Sequence, residues 1–372
     1  MTVFALSIHA DYRCRHSGAC CSADWDVPVE LPVYRSLAEA LAAGRLQPSP
    51  AAAGLDPFIV EPDLPDNAAA ILERTRAGDC VFFERGSNLC LVHRALGADA
   101  LPATCRHFPR IAVRDPRGTF ITLSHYCPTA ASLLFRDDVG VEIVENPPAF
   151  PPADYEGLVV GPDDLPPLLH PRMVMDHDAY SAWERHMVRV CADTEQPPES
   201  VVATLARDAR LIAGWTPGAG ALAAAVERLP RAYVPAPQPD ELSGSLRLHA
   251  EVMGAVPDDL RPSPDEDRLD AAYVAYVSEA WSGWRAPVNR YLAAKAFASW
   301  TAYQGCGVAA IVRGLAAALA LVRVEAARQC RDAGRPLDRT LLLEAFRRAD
   351  FTLNHLAVGE ELAAAWSASE AE

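Results

Sequence analysis

The segment 308-VAAIVRGLAAALALVRV-324 sets the fold class of this chain, because its apolar residues recur at helical spacing. One stripe along that helix would carry Val308, Ile311, Val312, Leu315, Leu319 and Val322. Arg313 and Arg323 interrupt the apolar run, which indicates a helix packed in a protein core rather than a membrane span. The pattern therefore predicts a helical domain built around this segment.

Further helical patterns precede and follow this segment. Four apolar residues form one stripe at helical spacing: Tyr180, Trp183, Met187 and Cys191. Residues 199–213 predict another helix, and Asp338 or Thr340 would open a last one through residues 341–349. We therefore expect residues 176–372 to form an all-α domain of roughly six to eight helices.

The rest of the chain has a different character. Half of the 372 residues are apolar, which is enough to bury a sizeable core and indicates two domains. Residues 1–145 are rich in turn formers and hold only short apolar runs, so we expect a small, irregular α+β module there. A proline-rich connector over residues 146–175 separates it from the helical domain. The predicted fold class is mainly α.

The net charge of −15 bears on the possible partners. One lysine, Lys295, stands against 33 arginines, and an acidic chain is poorly suited to nucleic acid or to an anionic membrane surface. The first residues lack the basic start and apolar length of a secretion signal, so we expect a cytoplasmic protein. In a reducing cytosol, clustered cysteines indicate metal or redox chemistry more often than disulfides.

Seven of the ten cysteines lie in the first 127 residues: Cys14, Cys20, Cys21, Cys80, Cys90, Cys105 and Cys127. Gly18 would let the chain turn tightly beside the first three. Cys80 and Cys90 flank VFFERGSNL, which predicts a hairpin that returns the second thiol toward the first. Adjacent cysteines normally point apart, so we expect Cys20 and Cys21 to have different roles.

These seven cysteines are the candidate metal ligands, and they make the predicted N-terminal module a cysteine-rich, metal-binding one. The spacings are too long for a zinc finger, and seven thiols exceed the four that one zinc ion or one 4Fe–4S cluster takes. Two zinc ions, one iron–sulfur cluster with spare thiols, and a cluster with a second metal all remain open. Four histidines would raise the donor count: His16, His93, His107 and His125.

A local basic patch lies beside Cys105. Arg106, His107 and Arg110 are candidate cofactor-binding residues, because they would donate charge-assisted hydrogen bonds to thiolates, sulfides or an anionic substrate. The alternative is a surface cluster of arginines paired with acidic residues.

Five short motifs carry a resemblance to a known family: CRHSGACC, CVFF, CLVHRALG, TCRHFPR and CPTAASLL. In order, spacing and flanking residues, residues 12–135 resemble the zinc- or iron-chelating cysteine-cluster proteins, whose core is C-x2-C-x2-CC. They are closest to the flagellin lysine N-methylase-like branch. The seven cysteines stand at the family's cysteine positions, but Ser17 replaces the second cysteine of the core, and its hydroxyl is a far weaker donor to a soft metal.

The resemblance implies a bound metal, as a 4Fe–4S cluster or zinc. It also implies a protein-lysine N-methyltransferase, with S-adenosylmethionine as donor and a protein substrate. The glycine-rich stretch 214–220 follows a helical pattern rather than a strand, so it predicts a helix–helix turn and not a donor-binding loop. Two functions remain open: a metalloenzyme that modifies a protein, and a non-catalytic protein with a structural zinc module and a partner-binding helical domain.

Overall fold

The computed structural model describes residues 2–61, 64, 67–153, 155–161, 163–262 and 268–368. The chain forms two compact units. The larger unit comprises Met1–Tyr12, Ile111–Ala153 and Gly157–Glu372, and the smaller unit comprises Arg13–Arg110 and Asp154–Glu156. The boundaries predicted at residues 145 and 175 both fall inside the larger unit.

The strands are short and concentrated in the first half of the chain. They are β1 (Val3–Leu6), β2 (Pro28–Glu30), β3 (Phe58–Ile59), β4 (Ala68–Leu72), β5 (Phe83–Glu84), β6 (Leu89–Cys90), β7 (Arg110–Asp115), β8 (Gly118–Leu123), β9 (Ile143–Glu145), β10 (Gly157–Val159), β11 (Leu168–His170) and β12 (Met173–Val174).

The longer helices lie in the second half. The α-helices are α1 (Leu31–Ala42), α2 (Leu91–Leu96), α3 (Ala103–His107), α4 (Pro128–Leu133), α5 (His177–Ala192), α6 (Pro198–Ala213), α7 (Leu222–Glu227), α8 (Ser243–Gly254), α9 (Leu269–Ala272), α10 (Ser278–Trp281), α11 (Arg285–Ala296), α12 (Gly307–Ala333), α13 (Arg339–Phe351) and α14 (Gly359–Ala368). Two π-helical segments, Tyr273–Val277 and Thr352–Leu356, extend α9 and α13.

A five-stranded mixed sheet belongs to the larger unit, with strand order β10-β7-β8-β1-β9. β1 runs parallel to β8, with Val3 opposite Thr119, and antiparallel to β9, with Phe4 opposite Glu145. Every residue of β8 is buried. Side chains of the sheet and of the helices share one hydrophobic core, to which Leu6, Val113 and Phe120 contribute.

The predicted fold class is wrong in two respects. The chain is about 51% helical and 12% strand, and the mixed sheet lies in the unit of the helices, so that unit is not all-α. Residues 1–145 are not one metal-binding module either, because their first and last parts fold with the helices. Among the residues described above, no group of three or more His, Cys, Asp or Glu side chains is arranged to hold a metal ion.

The physical reason for this error is the distance along the chain over which the sheet forms. β1 and β8 are more than 100 residues apart, and strands of three to six residues carry little periodicity of their own. Pairing of such strands depends on tertiary packing, which local pattern reasoning does not detect.

The helix α12 runs through the core of the larger unit. All residues of the predicted apolar stripe are buried, and small residues such as Ala310 and Ala317 are buried on the opposite side of the helix. The buried Arg323 forms an ion pair with Glu199. Of the helices in the described part of the chain, this one is long and apolar enough to cross a membrane, but 78% of its most apolar window is buried, as in a core helix.

Several predicted helices are confirmed. The stripe that begins at Tyr180 lies on α5 and is buried, and residues 199–213 lie within α6. Asp338 caps α13, because its side chain accepts a hydrogen bond of 2.9 Å from the backbone N–H of Leu341.

The smaller unit combines a three-stranded antiparallel sheet, in the order β2-β4-β3, with the two-stranded β5-β6 hairpin and helices α1 to α3. Its own hydrophobic core includes Val29, Leu37 and Phe82. Three half-buried cysteines pack against this core: Cys80, Cys90 and Cys105. The thiols therefore lie at the margin of a core and not on open surface.

Candidate functional site

The smaller unit brings together five of the seven candidate ligands, which we call the thiol cluster: Cys20, Cys21, Cys80, Cys90 and Cys105. They come from four separate segments of the chain. All five are half-buried, and the ionisation of each is affected by at least one other thiol of the set. The fold of this unit thus places thiols between residues 20 and 105, which are far apart in the sequence, in one interacting group.

Gly18 shapes the first of these segments. Its φ of 76° lies in the left-handed region that glycine favours, and a Cβ there would lie only 2.7 Å from the ring of Phe83. A 3-10 turn over Ala19–Cys21 follows directly, and the N–H of Cys21 donates a hydrogen bond of 2.9 Å to the carbonyl of Gly18. The predicted tight turn is confirmed.

The β5-β6 hairpin positions the second pair of thiols. Phe83 lies opposite Cys90 across the hairpin, which confirms the hairpin predicted between the two cysteines. The backbone N–H of Cys80 donates a hydrogen bond of 2.8 Å to the carbonyl of Cys21. This bond joins the hairpin directly to the turn of the first segment.

Helix α3 supplies the fifth thiol, Cys105. The backbone N–H of Ala103, in the first turn of α3, donates a hydrogen bond of 2.9 Å to Oε1 of Glu30. The other carboxylate oxygen of Glu30, Oε2, is buried and has no hydrogen-bond partner among the described residues. A carboxylate and several thiols therefore share one buried neighbourhood.

The sulfur atoms of Cys20 and Cys21 lie 3.8 Å apart. The expectation that these adjacent side chains point apart is therefore wrong, because the 3-10 turn directs both sulfur atoms to the same place. Whether they have different roles stays a prediction. The thiol of Cys90 interacts electrostatically with both Cys20 and Cys21, which adds a third cysteine to the group.

The thiols of the cluster differ widely in pKa because of the interactions among them. The interaction with Cys21 lowers the pKa of Cys90 to about 7, and a hydrogen bond to Cys21 lowers the pKa of Cys20 as well. These interactions raise the pKa of Cys21 far above its usual range. Burial raises the pKa of Cys80 to about 12 and also raises that of Cys105. On its own, the cluster thus ionises only in part.

The remaining two candidate ligands are Cys14 and Cys127. Cys14 is exposed, and its sulfur accepts a hydrogen bond of 3.4 Å from the backbone N–H of His16. Cys127 belongs to the larger unit, where it is buried 3.7 Å from the hydroxyl of Tyr12. Their role as metal ligands stays a prediction.

The basic patch lies at the end of α3. Arg106 is exposed, whereas His107 is half-buried and its Nδ1 accepts a hydrogen bond of 2.6 Å from the N–H of Glu156. Burial and the charges of Arg106 and Arg110 lower the pKa of His107. Arg110 also donates to the carbonyl of His107 at 3.5 Å. The three side chains thus form one local group, and their role in binding a cofactor stays a prediction.

The larger unit holds a second buried polar group that the sequence analysis missed. At its centre, the wholly buried Asp350 forms an ion pair with Lys295, the only lysine of the chain. Its carboxylate also accepts hydrogen bonds from the hydroxyl of Ser124 at 3.0 Å, the backbone N–H of His125 at 2.7 Å and the hydroxyl of Tyr291 at 3.3 Å. Burial is the largest single influence and opposes its ionisation, but Lys295, His125 and His355 together outweigh it and hold the pKa of Asp350 well below its usual range.

Three histidines complete this group, which we call the Asp350 network. Nε2 of His9 lies 3.3 Å from Nε2 of His125, and Nε2 of His355 lies 2.9 Å from the hydroxyl of Ser124. Burial lowers the pKa of all three, to about 3 for His125 and about 4 for His355. The one sequence signal for this network was the single lysine placed in a helical stretch.

Comparisons of the chain with models of protein families, with curated proteins and with solved structures each gave no match. The resemblance to the cysteine-cluster proteins therefore stays a prediction.

Proposed function

We propose that the thiol cluster binds a soft metal, as an iron–sulfur cluster or as zinc, and that this metal is central to what the protein does. The observation that carries the proposal is the convergence of five thiols from four segments in one half-buried neighbourhood. Zinc and iron–sulfur clusters each take four thiolates, so the set is large enough for either.

The chemistry of the donors supports this proposal. Thiolate is the form that binds metal, and a bound cation lowers the pKa of its ligands. Burial and neighbouring sulfur atoms raise the pKa of Cys80 and Cys105, which is a cost that a cation would remove. No disulfide joins cysteines among the described residues, so the thiols are present in the form that binding requires.

The spacing of Cys20 and Cys21 also supports it. Two thiolate ligands of one tetrahedral ion, each about 2.3 Å from the metal, lie about 3.8 Å apart. The sulfur atoms of Cys20 and Cys21 have this separation in the structure. The hydrogen bonds that fix the turn and the hairpin hold the backbone of both segments in place.

We extend the proposal to methyl transfer onto a protein lysine, which rests on the resemblance alone. In that case S-adenosylmethionine would supply the methyl group. Arg106, His107 and Arg110 are the residues of this chain proposed to bind an anionic part of a cofactor near the thiols. Arg106 and His107 follow Cys105 on α3, and Arg110 begins β7.

A second function competes with the first. Three thiols of the cluster pack against the hydrophobic core of the smaller unit, which is the placement expected of a structural zinc site. In this case the metal would stabilise the smaller unit, and the protein would act by binding a partner.

The decisive experiment is metal analysis of the full chain purified without oxygen. We expect about four iron and four sulfide per chain with visible absorption, or about one zinc without colour. Iron with a redox-sensitive spectrum favours the metalloenzyme, and colourless zinc favours the structural role. Neither metal in stoichiometric amount contradicts the proposal.

Two variants assign the site. Cys21→Ser and Cys90→Ser should each lower the bound metal by at least about half, because each removes a soft donor. Cys306→Ser is the matched control, since this half-buried cysteine lies outside the thiol cluster, and it should keep the full metal content. Mass spectrometry of flagellin incubated with the holoprotein and S-adenosylmethionine then tests for methylated lysine separately.

A further inference from the structure

A cleft of about 280 Å³ opens in the larger unit between α5 and the chain around the end of α7. Three arginines line it, Arg185, Arg189 and Arg231, together with Glu227. Among the described residues, neither Arg185 nor Arg231 has an ion pair or a hydrogen bond. All three arginines are exposed, and Arg185 and Arg189 lie four residues apart on α5, where like charges repel one another weakly.

A buried relay orients one of these arginines. Nη2 of Arg189 donates to Nδ1 of His186 at 3.0 Å, so the imidazole proton lies on Nε2. Nε2 in turn donates to Oδ2 of Asp208 at 2.8 Å. His186 is 6% exposed and Asp208 is fully buried. The guanidinium of Arg189 is thus held by a polar chain whose other members are inside the protein.

The same aspartate organises the opposite side of the cleft. Arg207 contacts Asp208 at 2.7 Å and also donates to the carbonyls of Pro230 at 3.3 Å and Ala232 at 2.7 Å. These two carbonyls flank Arg231, so the position of its backbone in the cleft is fixed. One buried carboxylate therefore supports both a guanidinium on α5 and the loop that carries another.

We propose that this cleft binds a small molecule bearing a doubly charged oxyanion, either a phosphate ester or a dicarboxylate. Three guanidinium groups against the single carboxylate of Glu227 leave a surplus of two positive charges. One guanidinium group can bind two oxygen atoms of a carboxylate or a phosphate at once, and this lining offers three guanidinium groups. The surplus is local, because the chain as a whole carries a net charge of −15.

The apolar part of the lining sets the size of the ligand. Ala182, Val226 and Leu229 form that wall, so the anion would carry a small apolar body. The volume lies at the low end of small-molecule sites, which excludes a large ligand held wholly inside. This inference does not depend on the metal proposal.

The test is calorimetric titration of the full chain with inorganic phosphate and, separately, with succinate, at constant ionic strength. We expect saturable binding with a Kd of about 1 mM or tighter for at least one of the two. Binding of phosphate alone assigns a phosphate ester, binding of succinate alone assigns a dicarboxylate, and binding of both supports the shared dianion chemistry.

Three variants locate the binding. Arg185→Gln and Arg231→Gln should each raise the Kd about tenfold, because each removes a charged donor from the cleft. Arg210→Gln is the control, since Arg210 is an exposed arginine on α6 outside the lining, and it should leave the Kd unchanged. The proposal is overturned if neither anion binds, or if the cleft variants bind as tightly as the control.

Discussion

The thiol cluster of the smaller unit and the Asp350 network of the larger unit both gather polar groups away from water, but they differ in how charge is balanced. In the network, the carboxylate of Asp350 meets the ammonium of Lys295 and several hydrogen-bond donors. In the cluster, the groups are thiols of one kind, joined by a carboxylate from Glu30. The cation that acts on Cys80, Arg74, is itself paired with Asp24 and Asp26.

The difference indicates two kinds of buried polar group. A set with its own counter-charge stabilises the fold as it stands, provided that every member keeps its partner. A set of donors that all become negative on ionisation is stabilised only when a bound cation supplies the opposite charge. This contrast favours a structural role for the Asp350 network, and it supports the metal binding proposed for the thiol cluster.

The largest expected effect tests the structural half of this comparison. Asp350→Ala should lower the free energy of unfolding by about 3–5 kcal/mol, because it leaves Lys295 charged and almost buried without its partner. Urea denaturation of the full chain measures the change. Asp332→Ala, on a carboxylate that is 58% exposed, is the control and should cost less than about 1 kcal/mol. Equal losses of unfolding free energy in the two variants would contradict the structural role of the Asp350 network.

Removal of the proposed metal tests the binding role of the thiol cluster. A chelator should lower the local stability of the smaller unit by about 3 kcal/mol, since the metal binds the folded thiol cluster and not the unfolded chain. Hydrogen exchange followed by mass spectrometry should show lost protection in peptides around residues 18–22 and 80–90. Peptides from α12 serve as the internal reference, and an unchanged pattern in all peptides would contradict the assignment.

Acidification sharpens the comparison, because the histidines of the Asp350 network stay neutral in the folded state. His355 has its pKa lowered to about 4 by burial, and the pKa of His9 is also lowered; Asp350 and Lys295 face them. Between pH 6.5 and 4 the unfolded state binds more protons, so stability is full above pH 6.5 and falls with the pH.

The expected loss from His355 alone by pH 4 is about 3 kcal/mol, read from urea midpoints along a pH series. His355→Gln should flatten the pH dependence in this range because it removes one of the titrating groups. A profile that stays the same in the variant would mean that other groups control the acid response.

The smallest effect concerns the turn that presents Cys20 and Cys21. Gly18→Ala should cost about 1–2 kcal/mol, since alanine is strained at a φ of 76° and its Cβ meets the ring of Phe83. Gly86→Ala, at a glycine whose Cβ would meet open space, is the matched control. Thermal unfolding gives the first measure. Metal content gives the second, and it should fall in Gly18→Ala alone.

Local patterns in the sequence were sufficient for some of this structure. The apolar spacing on α5 and α12 predicted core helices, and the residues between Cys80 and Cys90 predicted a hairpin. These features depend on periodicity and turn chemistry over short stretches. The direction of the Cys20 and Cys21 side chains was not predictable in the same way, because it follows from the geometry of one 3-10 turn.

The helical character of the second half and the concentration of soft donors in the first half follow from local spacing and residue type, so the amino-acid sequence predicts both. Three features depend instead on long-range packing: which thiols act on one another, the five-stranded sheet that joins the helices, and the pairing of Asp350 with Lys295. Contacts between residues far apart in the chain arise from packing and burial as a whole, and no short segment carries the information for them.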